Sequence, residues 1–133
     1  MLHNRIHDNL ALVAVEELKT KHPGLVFTYT NAGAAGIDIT GVDDSGSLKV
    51  VAEVKTTLPD AKGRMRGPQT SNIRKDLDRL MKQTKPVSRY LVVLSPTTKT
   101  AIQRQLQTDT QFPTITIFNA LNESYSEAST ENE

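Results

Sequence analysis

Two carboxylates and one lysine occupy positions from which their side chains could act on the same atom. Asp38 lies in the apolar segment 36–40, and Glu53 and Lys55 lie in the apolar segment 50–57. Residues two apart in a β-strand point to the same face, so the glutamate and the lysine are expected to emerge side by side. If the two segments pair, Asp38 can stand beside them. Two converging carboxylates form a site for a hard divalent cation such as Mg2+, and a lysine there can hold or activate a water.

The second of these segments has the pattern of a buried strand. Charged residues in strands are most often the solvated face of an antiparallel hairpin, where glutamate and lysine offset each other. A solvated hairpin would alternate, whereas Val50, Val51, Ala52 and Val54 form a nearly continuous apolar run. Such a run is typical of a strand that is covered on both faces. A charge in that position is costly unless it is paired or bound to a metal, so the pattern favours a functional site.

The composition limits the classes of protein to which the chain can belong. Its 133 residues suit one domain with a real core. Lys and Arg number 16 against 15 Asp and Glu, so a nucleic-acid binder of this charge needs a local basic patch. The lack of cysteine excludes disulfides, zinc–thiolate sites and thiol nucleophiles, and it fits a cytoplasmic protein. No apolar run approaches the roughly 18 residues that cross a bilayer, so no membrane association is expected.

The order of predicted elements is α-β-β-β-α-β-α-β, which indicates an α/β fold with a mixed central sheet flanked by helices. Helices are predicted over 4–21, 72–85 and 98–108, and strands over 25–30, 37–42, 48–56, 90–94 and 115–118. The run Asp43-Asp44-Ser45-Gly46 predicts a hairpin turn between the second and third strands. One domain is expected over 1–121, and the polar, acidic residues 122–133 are expected to form a flexible tail.

The pattern Gly36-Ile37-Asp38 … Ala52-Glu53-Val54-Lys55 resembles that of the PD-(D/E)XK nuclease superfamily. Fourteen residues separate Asp38 from Glu53, and Ile37 stands where the superfamily usually has proline. The wider resemblance runs from about residue 3 to about residue 96. It implies a restriction endonuclease-like core and a Mg2+-dependent endonuclease that hydrolyses DNA phosphodiester bonds, with Mn2+ able to replace Mg2+.

The same resemblance implies a role for each residue of the motif. Asp38 would be the bridging metal ligand, Glu53 the second ligand, and the backbone carbonyl of Val54 a third oxygen. Lys55 would orient or deprotonate the attacking water and stabilise the charge of the transition state.

The first helix often supplies a further acid in this superfamily, and here the choice lies between Glu16 and Glu17. With Ile6 set at zero and about 100° per residue, Glu17 stands near about 20° and Glu16 near about 280°. Leu10 and Val13 bracket Glu17, so we expect Glu17 to face the core and to complete the catalytic set. Pairing of Glu17 with a neighbouring basic side chain is the alternative.

Other polar residues near the motif are weaker candidates or predicted nucleic-acid contacts. Asp8 is a weaker candidate for the acid of the first helix. The start His3-Asn4-Arg5-Ile6 resembles that of some members of the superfamily, which implies that His3 could reach the mouth of the site. Flexible basic segments beside a phosphodiester site can hold backbone phosphates, and Ser71 and Asn72 are predicted to cap the second helix. The predicted phosphate-contacting residues are Arg64, Arg66, Gln69, Arg74 and Lys75.

These observations lead to one principal hypothesis and two alternatives. The principal hypothesis is a restriction-type, metal-dependent DNA endonuclease, acting either as a homodimer or together with a separate recognition domain. The first alternative is a structure-specific nuclease such as a Holliday junction resolvase. The second is a non-catalytic nucleic-acid-binding module of the same fold.

Overall fold

A five-stranded mixed sheet with helices on both of its faces forms the fold of this chain in the computed structural model. The structure describes residues 2–30, 36–56, 58–60, 62, 64–65, 67–82, 87–107 and 114–119. The elements are α1 (Leu2–Lys21), β1 (Val26–Tyr29), β2 (Ile39–Val42), β3 (Leu48–Lys55), α2 (Gly67–Met81), β4 (Ser88–Val93), α3 (Pro96–Gln107) and β5 (Ile115–Asn119). Their order is the predicted one, which confirms the α/β fold class.

The strands lie in the sheet in their order along the chain, from β1 to β5. The pairs β1–β2 and β2–β3 are antiparallel, whereas β3–β4 and β4–β5 are parallel. The predicted hairpin turn joins β2 to β3, and Asp43 Oδ1 accepts the N–H groups of Ser45 at 2.9 Å and Ser47 at 3.0 Å. Gly46 supplies the positive φ of 84° that this turn requires.

The two faces of β3 are covered by different helices, because successive side chains of a strand point to opposite sides. Val50, Ala52 and Val54 belong to the apolar cluster that α1 covers. Val51 belongs to the second cluster, under α2 and α3. Glu53 shares the side of Val51, so it points toward α2. The predicted double burial of this strand is therefore confirmed.

All three predicted helices begin earlier in the structure, α1 by two residues. Ser71 and Asn72 were predicted to cap the second helix, but α2 begins at Gly67 and runs through both residues. Pro68 occupies the first turn, where its missing N–H removes no intrahelical hydrogen bond. Likewise α3 begins at Pro96, and Ser95 Oγ accepts the Thr98 N–H at 3.2 Å as its cap. In α2 and α3 a proline thus stands in the first turn of the helix.

Two further expectations concern a membrane span and the tail at the end of the chain. Among the described residues, no helix is long and apolar enough to cross a membrane. The predicted tail 122–133 lies outside the described residues.

Candidate active site

The strand pairing brings Asp38 against Glu53 at one edge of the sheet. Ile39 pairs with Ala52, so Asp38, the residue before β2, faces the carboxyl-terminal part of β3. The Asp38 N–H donates to Glu53 Oε2 at 3.3 Å, and the Val54 N–H donates to Asp38 Oδ2 at 2.8 Å. The hairpin turn makes the two strands antiparallel, and a shift of one residue in their register between Gly41 and Val42 places the two carboxylates together.

The two carboxyl groups share one environment but differ in protonation. Burial raises the pKa of Glu53 to about 8; the hydrogen bond and the negative charge of Asp38 add to this rise, and Arg79 opposes it. Burial also favours the neutral form of Asp38, but hydrogen bonds with His7, Glu53 and the Val54 N–H outweigh it and hold its pKa below the usual range. Near neutral pH the pair therefore carries one proton, on Glu53, and one negative charge.

Helix α2 places a second pair of charges over the strand residues. Arg79 Nη1 lies 2.9 Å from Glu53 Oε1, and Asp76 Oδ2 lies 2.9 Å from Lys55 Nζ. Asp76 and Arg79 are also within 3.8 Å of each other, one helical turn apart. Arg79 thus faces the carboxyl group of Glu53, and Asp76 faces the amino group of Lys55. The contact with Asp76 fixes the side chain of Lys55, which follows Glu53 by two residues and so leaves the same face of β3.

The contribution of α1 to this site is His7. Its Nε2 lies 3.4 Å from Asp38 Oδ2, whereas Asp8 Oδ1 lies 3.7 Å from its Nδ1, beyond hydrogen-bonding distance. The hydrogen bond with Asp38 is the largest cause of a raised His7 pKa, and burial opposes it. Asp8 therefore lies near His7, which in turn contacts Asp38. The side chain of His3 lies outside the part that the structure describes.

The structure does not bring Glu17 to these residues. Glu17 is ten residues beyond His7, about 15 Å along the axis of α1. The angular reasoning placed the centre of the buried face at Ile6, but Ile6 is 38% exposed. The fully buried Ala14 and Leu18 stand near about 80° and 120° on that scale, and His7 stands near about 100° between them. An angle measured from the true centre of the stripe would have found His7.

Asp76 and Arg79 had a weaker signal in the sequence. Both lie in the predicted second helix, and neither was among the predicted site residues. Their spacing of three residues and their order, acid before base, complement Glu53 and Lys55, which lie two apart in a strand. Only the packing of α2 over β3 brings these two pairs together.

The carboxyl groups of Asp38 and Glu53 fit a magnesium site in which the protein supplies only a few of the ligands. Mg2+ is usually held by one or two carboxylates and keeps several waters or phosphate oxygens. Asp38 and Glu53 supply two adjacent carboxyl groups, and the pKa of Glu53 near 8 reflects first its burial and then the neighbouring Asp38. A bound cation would favour the ionised form of both groups. The peptide of Val54 adjoins them. Among the described residues, no group of three or more histidine, aspartate or glutamate side chains converges as a metal site.

The predicted phosphate-contacting residues fall into two groups. Arg74 and Lys75 are exposed on α2, directly before Asp76. Gln69 Nε2 donates to the Leu58 carbonyl at 3.3 Å and ties the preceding loop to α2. The other group is the loop arginines: Arg64 Nε lies 3.9 Å from Asp60 Oδ2, with its side chain 68% exposed, and Arg66 lies outside the described residues.

Comparisons with known proteins give one distant structural similarity. No protein-family model and no curated protein matches this chain. The chain is similar to the crystal structure of a repair endonuclease from Pyrococcus abyssi, at 18% identity and a TM-score of 0.38. That similarity covers 79% of this chain but only 44% of the other. The chain thus spans less than half of that protein, and a similarity of this extent carries no argument about function.

Proposed function

We propose that this protein is a metal-dependent nuclease that hydrolyses phosphodiester bonds of DNA, of the PD-(D/E)XK type. The observation that carries the proposal is the contact between Asp38 and Glu53, with the ammonium group of Lys55 held beside it. Paired carboxylates next to a directed cation suit the hydrolysis of an anionic ester, because its transition state gathers negative charge.

Each residue of the site has a stated part in the proposed reaction. Asp38 and Glu53, with the carbonyl of Val54, would hold Mg2+ or Mn2+, which when bound would polarise the scissile phosphate and lower the pKa of a coordinated water. Lys55, held by Asp76, would orient the attacking water or stabilise the charge on the phosphate oxygens. His7 would fix the orientation of Asp38 through the hydrogen bond to Oδ2.

The same proposal also implies how the protein would contact DNA and whether it would need a second subunit or domain. The exposed Arg74 and Lys75 would contact backbone phosphates, together with Arg64, Arg66 and Gln69 of the preceding segment. A chain of this size has little surface for reading a base sequence, so restriction-type cleavage would need a homodimer or a separate recognition domain. We place the protein in the cytoplasm, where a chain without cysteine needs no oxidising environment.

A test of the function needs two readouts, cleavage and metal binding. The first is nicking of supercoiled plasmid with Mg2+, Mn2+ or EDTA, and the second is Mn2+ binding followed by electron paramagnetic resonance. Asp38→Asn keeps the size of the side chain but removes its charge, whereas Asp78→Asn alters an exposed acid of α2. We expect metal-dependent nicking and Mn2+ binding by the wild type and by the Asp78 variant, and loss of both with Asp38→Asn.

Two results would contradict the proposal. Nicking that persists in EDTA, or that survives Asp38→Asn, would exclude the assigned site. Failure to bind millimolar Mn2+, together with no cleavage of plasmid, would leave the non-catalytic member of the fold. Cleavage restricted to four-way junctions would select the resolvase alternative.

A further inference from the structure

A second group of basic residues lies at the same edge of the sheet as the carboxylates. A cleft of about 320 Å3 opens there between the segment that follows β3 and helix α3. Its walls carry two cations, Lys62 and Arg104, and two hydroxyl side chains, Thr97 and Thr100. Pro96 also lines it, and among the described residues no carboxylate does.

The cleft lies close to the proposed active site because two parallel strands end together. Lys55 pairs with Val93 at the ends of β3 and β4. Pro96, which lines the cleft, follows Val93 by three residues, and three residues span at most about 11 Å. Successive phosphates of one B-form strand advance by about 3.4 Å along the helix axis. A nucleic-acid strand at the carboxylates would therefore reach the cleft within a few nucleotides.

The loop that presents Lys62 is a folded turn. Asp60 Oδ1 accepts the N–H groups of Lys62 and Arg64, each at 2.9 Å, and the Asp60 N–H donates to the Arg64 carbonyl at 2.9 Å. The aspartate thus organises the backbone that carries Lys62, and its carboxylate is turned toward that backbone.

The face of α3 that lines the cleft is also continuous. Thr97, Thr100 and Arg104 follow one another at spacings of three and four residues, so they form one row along the helix. This row leads away from the edge of the sheet, with its cation about 12 Å from Pro96 along the helix axis.

We infer that this cleft binds the phosphodiester backbone of the nucleic-acid substrate, with Lys62 and Arg104 as the phosphate-contacting cations. The inference rests on the proposed nuclease function for the class of its ligand. It assigns the path of one strand: from the carboxylate pair, past the end of β4 and along α3. Contacts of this kind set the position of the strand and carry no base specificity.

The test is oligonucleotide binding in EDTA, where cleavage cannot interfere. The probe is a fluorescein-labelled DNA duplex of mixed sequence, and fluorescence anisotropy gives its affinity from 50 to 300 mM salt. The test variant carries Lys62→Gln and Arg104→Gln. The control variant carries Lys21→Gln and Lys49→Gln, which remove the same charge from a larger cleft of about 690 Å3 at the opposite edge of the sheet.

We expect the test variant to bind roughly tenfold or more weakly than the wild type. Because each lost phosphate contact removes about 0.9 from the slope of log K against log salt, that slope should fall by about 2. The control variant should keep the wild-type slope. A probe whose central linkages are uncharged methylphosphonates should bind the wild type as weakly as the normal probe binds the test variant.

Three results would overturn the inference. The first is that the wild type does not bind the probe, and the second is that the test and control variants lose equal affinity. The third is that millimolar inorganic phosphate removes all binding of the probe, which would indicate a site for free anions. Failure of the nuclease proposal itself would be seen separately, as cleavage and Mn2+ binding that Asp38→Asn leaves unchanged, whereas binding of the probe in EDTA tests the cleft alone. The test variant, in turn, should bind Mn2+ like the wild type.

Discussion

The proton on Glu53 makes the stability of the metal-free protein depend on pH in a defined direction. The pKa of Glu53 rises from 4.5 in the unfolded chain to about 8 in the fold. Between these values the native state binds one proton more than the unfolded state, so the free energy of unfolding falls as pH rises. The stabilisation is complete below pH 4.5 and is lost as pH passes through 8. At about 1.4 kcal/mol per pKa unit, ionised Glu53 costs the fold roughly 4 to 5 kcal/mol above pH 8.

Asp38 and His7, the other two groups of the site with altered pKa values, affect the stability of the fold in different pH ranges. The pKa of Asp38 is lowered, so the stability it contributes is present above about pH 4 and is lost only in acid. The pKa of His7 is raised from 6.5, so its contribution is lost as pH rises through that higher value. Between about pH 5 and pH 6.5, the slope of stability against pH therefore belongs mainly to Glu53.

Glu53→Gln isolates this effect because the amide imitates the protonated acid. The new N–H can donate to Asp38, and the carbonyl can still accept from Arg79. We expect the variant to lose the slope of stability between pH 5 and pH 6.5, and above pH 6.5 to keep only the part that His7 contributes. At pH 8.5 it should exceed the wild type by several kcal/mol, with about 5 as the upper limit. Glu16→Gln, at a side chain 75% exposed, should follow the wild-type profile.

The measurement is urea denaturation in EDTA at half-unit steps from pH 5 to pH 9. Parallel profiles for the wild type and Glu53→Gln would refute the reasoning, because they would mean that Glu53 gives up its proton in the fold as easily as in the unfolded chain. Addition of Mg2+ at pH 8.5 provides an internal comparison. It should stabilise the wild type, in which a cation replaces the proton, and leave the variant nearly unchanged.

Three further predictions test the surroundings of the site. If Lys55 acts as proposed, Asp76→Asn should lower kcat for cleavage at least about tenfold with little change in KM, because Lys55 loses its charged partner; an unchanged kcat, or an equal loss with Asp78→Asn, would contradict this positioning role. The His7 imidazole should titrate above 6.5 in a proton NMR titration and move back toward 6.5 when its carboxylate partner is neutralised; an unaltered titration would exclude the contact. Gly41→Ala should destabilise the protein by about 1 to 3 kcal/mol in urea denaturation, since a Cβ there would lie 2.6 Å from the Phe27 ring; an unchanged unfolding midpoint would show that the ring moves aside freely.

Local signals predicted the half of the site that lies on the hairpin. The turn residues from Asp43 to Gly46 join β2 to β3 through hydrogen bonds within a few residues, so the pairing of the two strands was predictable. The register at Asp38 was not, because an irregularity between Gly41 and Val42 shifts it by one residue. That shift places Asp38 opposite Glu53 rather than opposite Ala52.

Errors in the prediction arose where a local pattern could be interpreted only with knowledge of distant parts of the chain. The periodicity of α1 was read correctly, but the choice of Ile6 as its centre directed the search to Glu17. Which side of α1 faces the sheet depends on β-strands far along the chain. The start of α2 was placed too late because Pro68 can either end a loop or open a helix, and local sequence does not distinguish the two.

The sequence by itself thus determined the order of the elements, the buried strand and the pairing of the two segments that carry Asp38 and Glu53. Its turn residues and its apolar pattern were sufficient for these. The register that places the two carboxylates opposite each other depends on the shift between Gly41 and Val42, which only the structure shows. The tertiary structure decided what surrounds the carboxylates: His7 on α1, and Asp76 and Arg79 on α2. These side chains reach the site from opposite faces of the sheet, and their approach depends on how whole helices pack. Packing of that kind is set by the summed burial of many apolar residues, which no local pattern encodes.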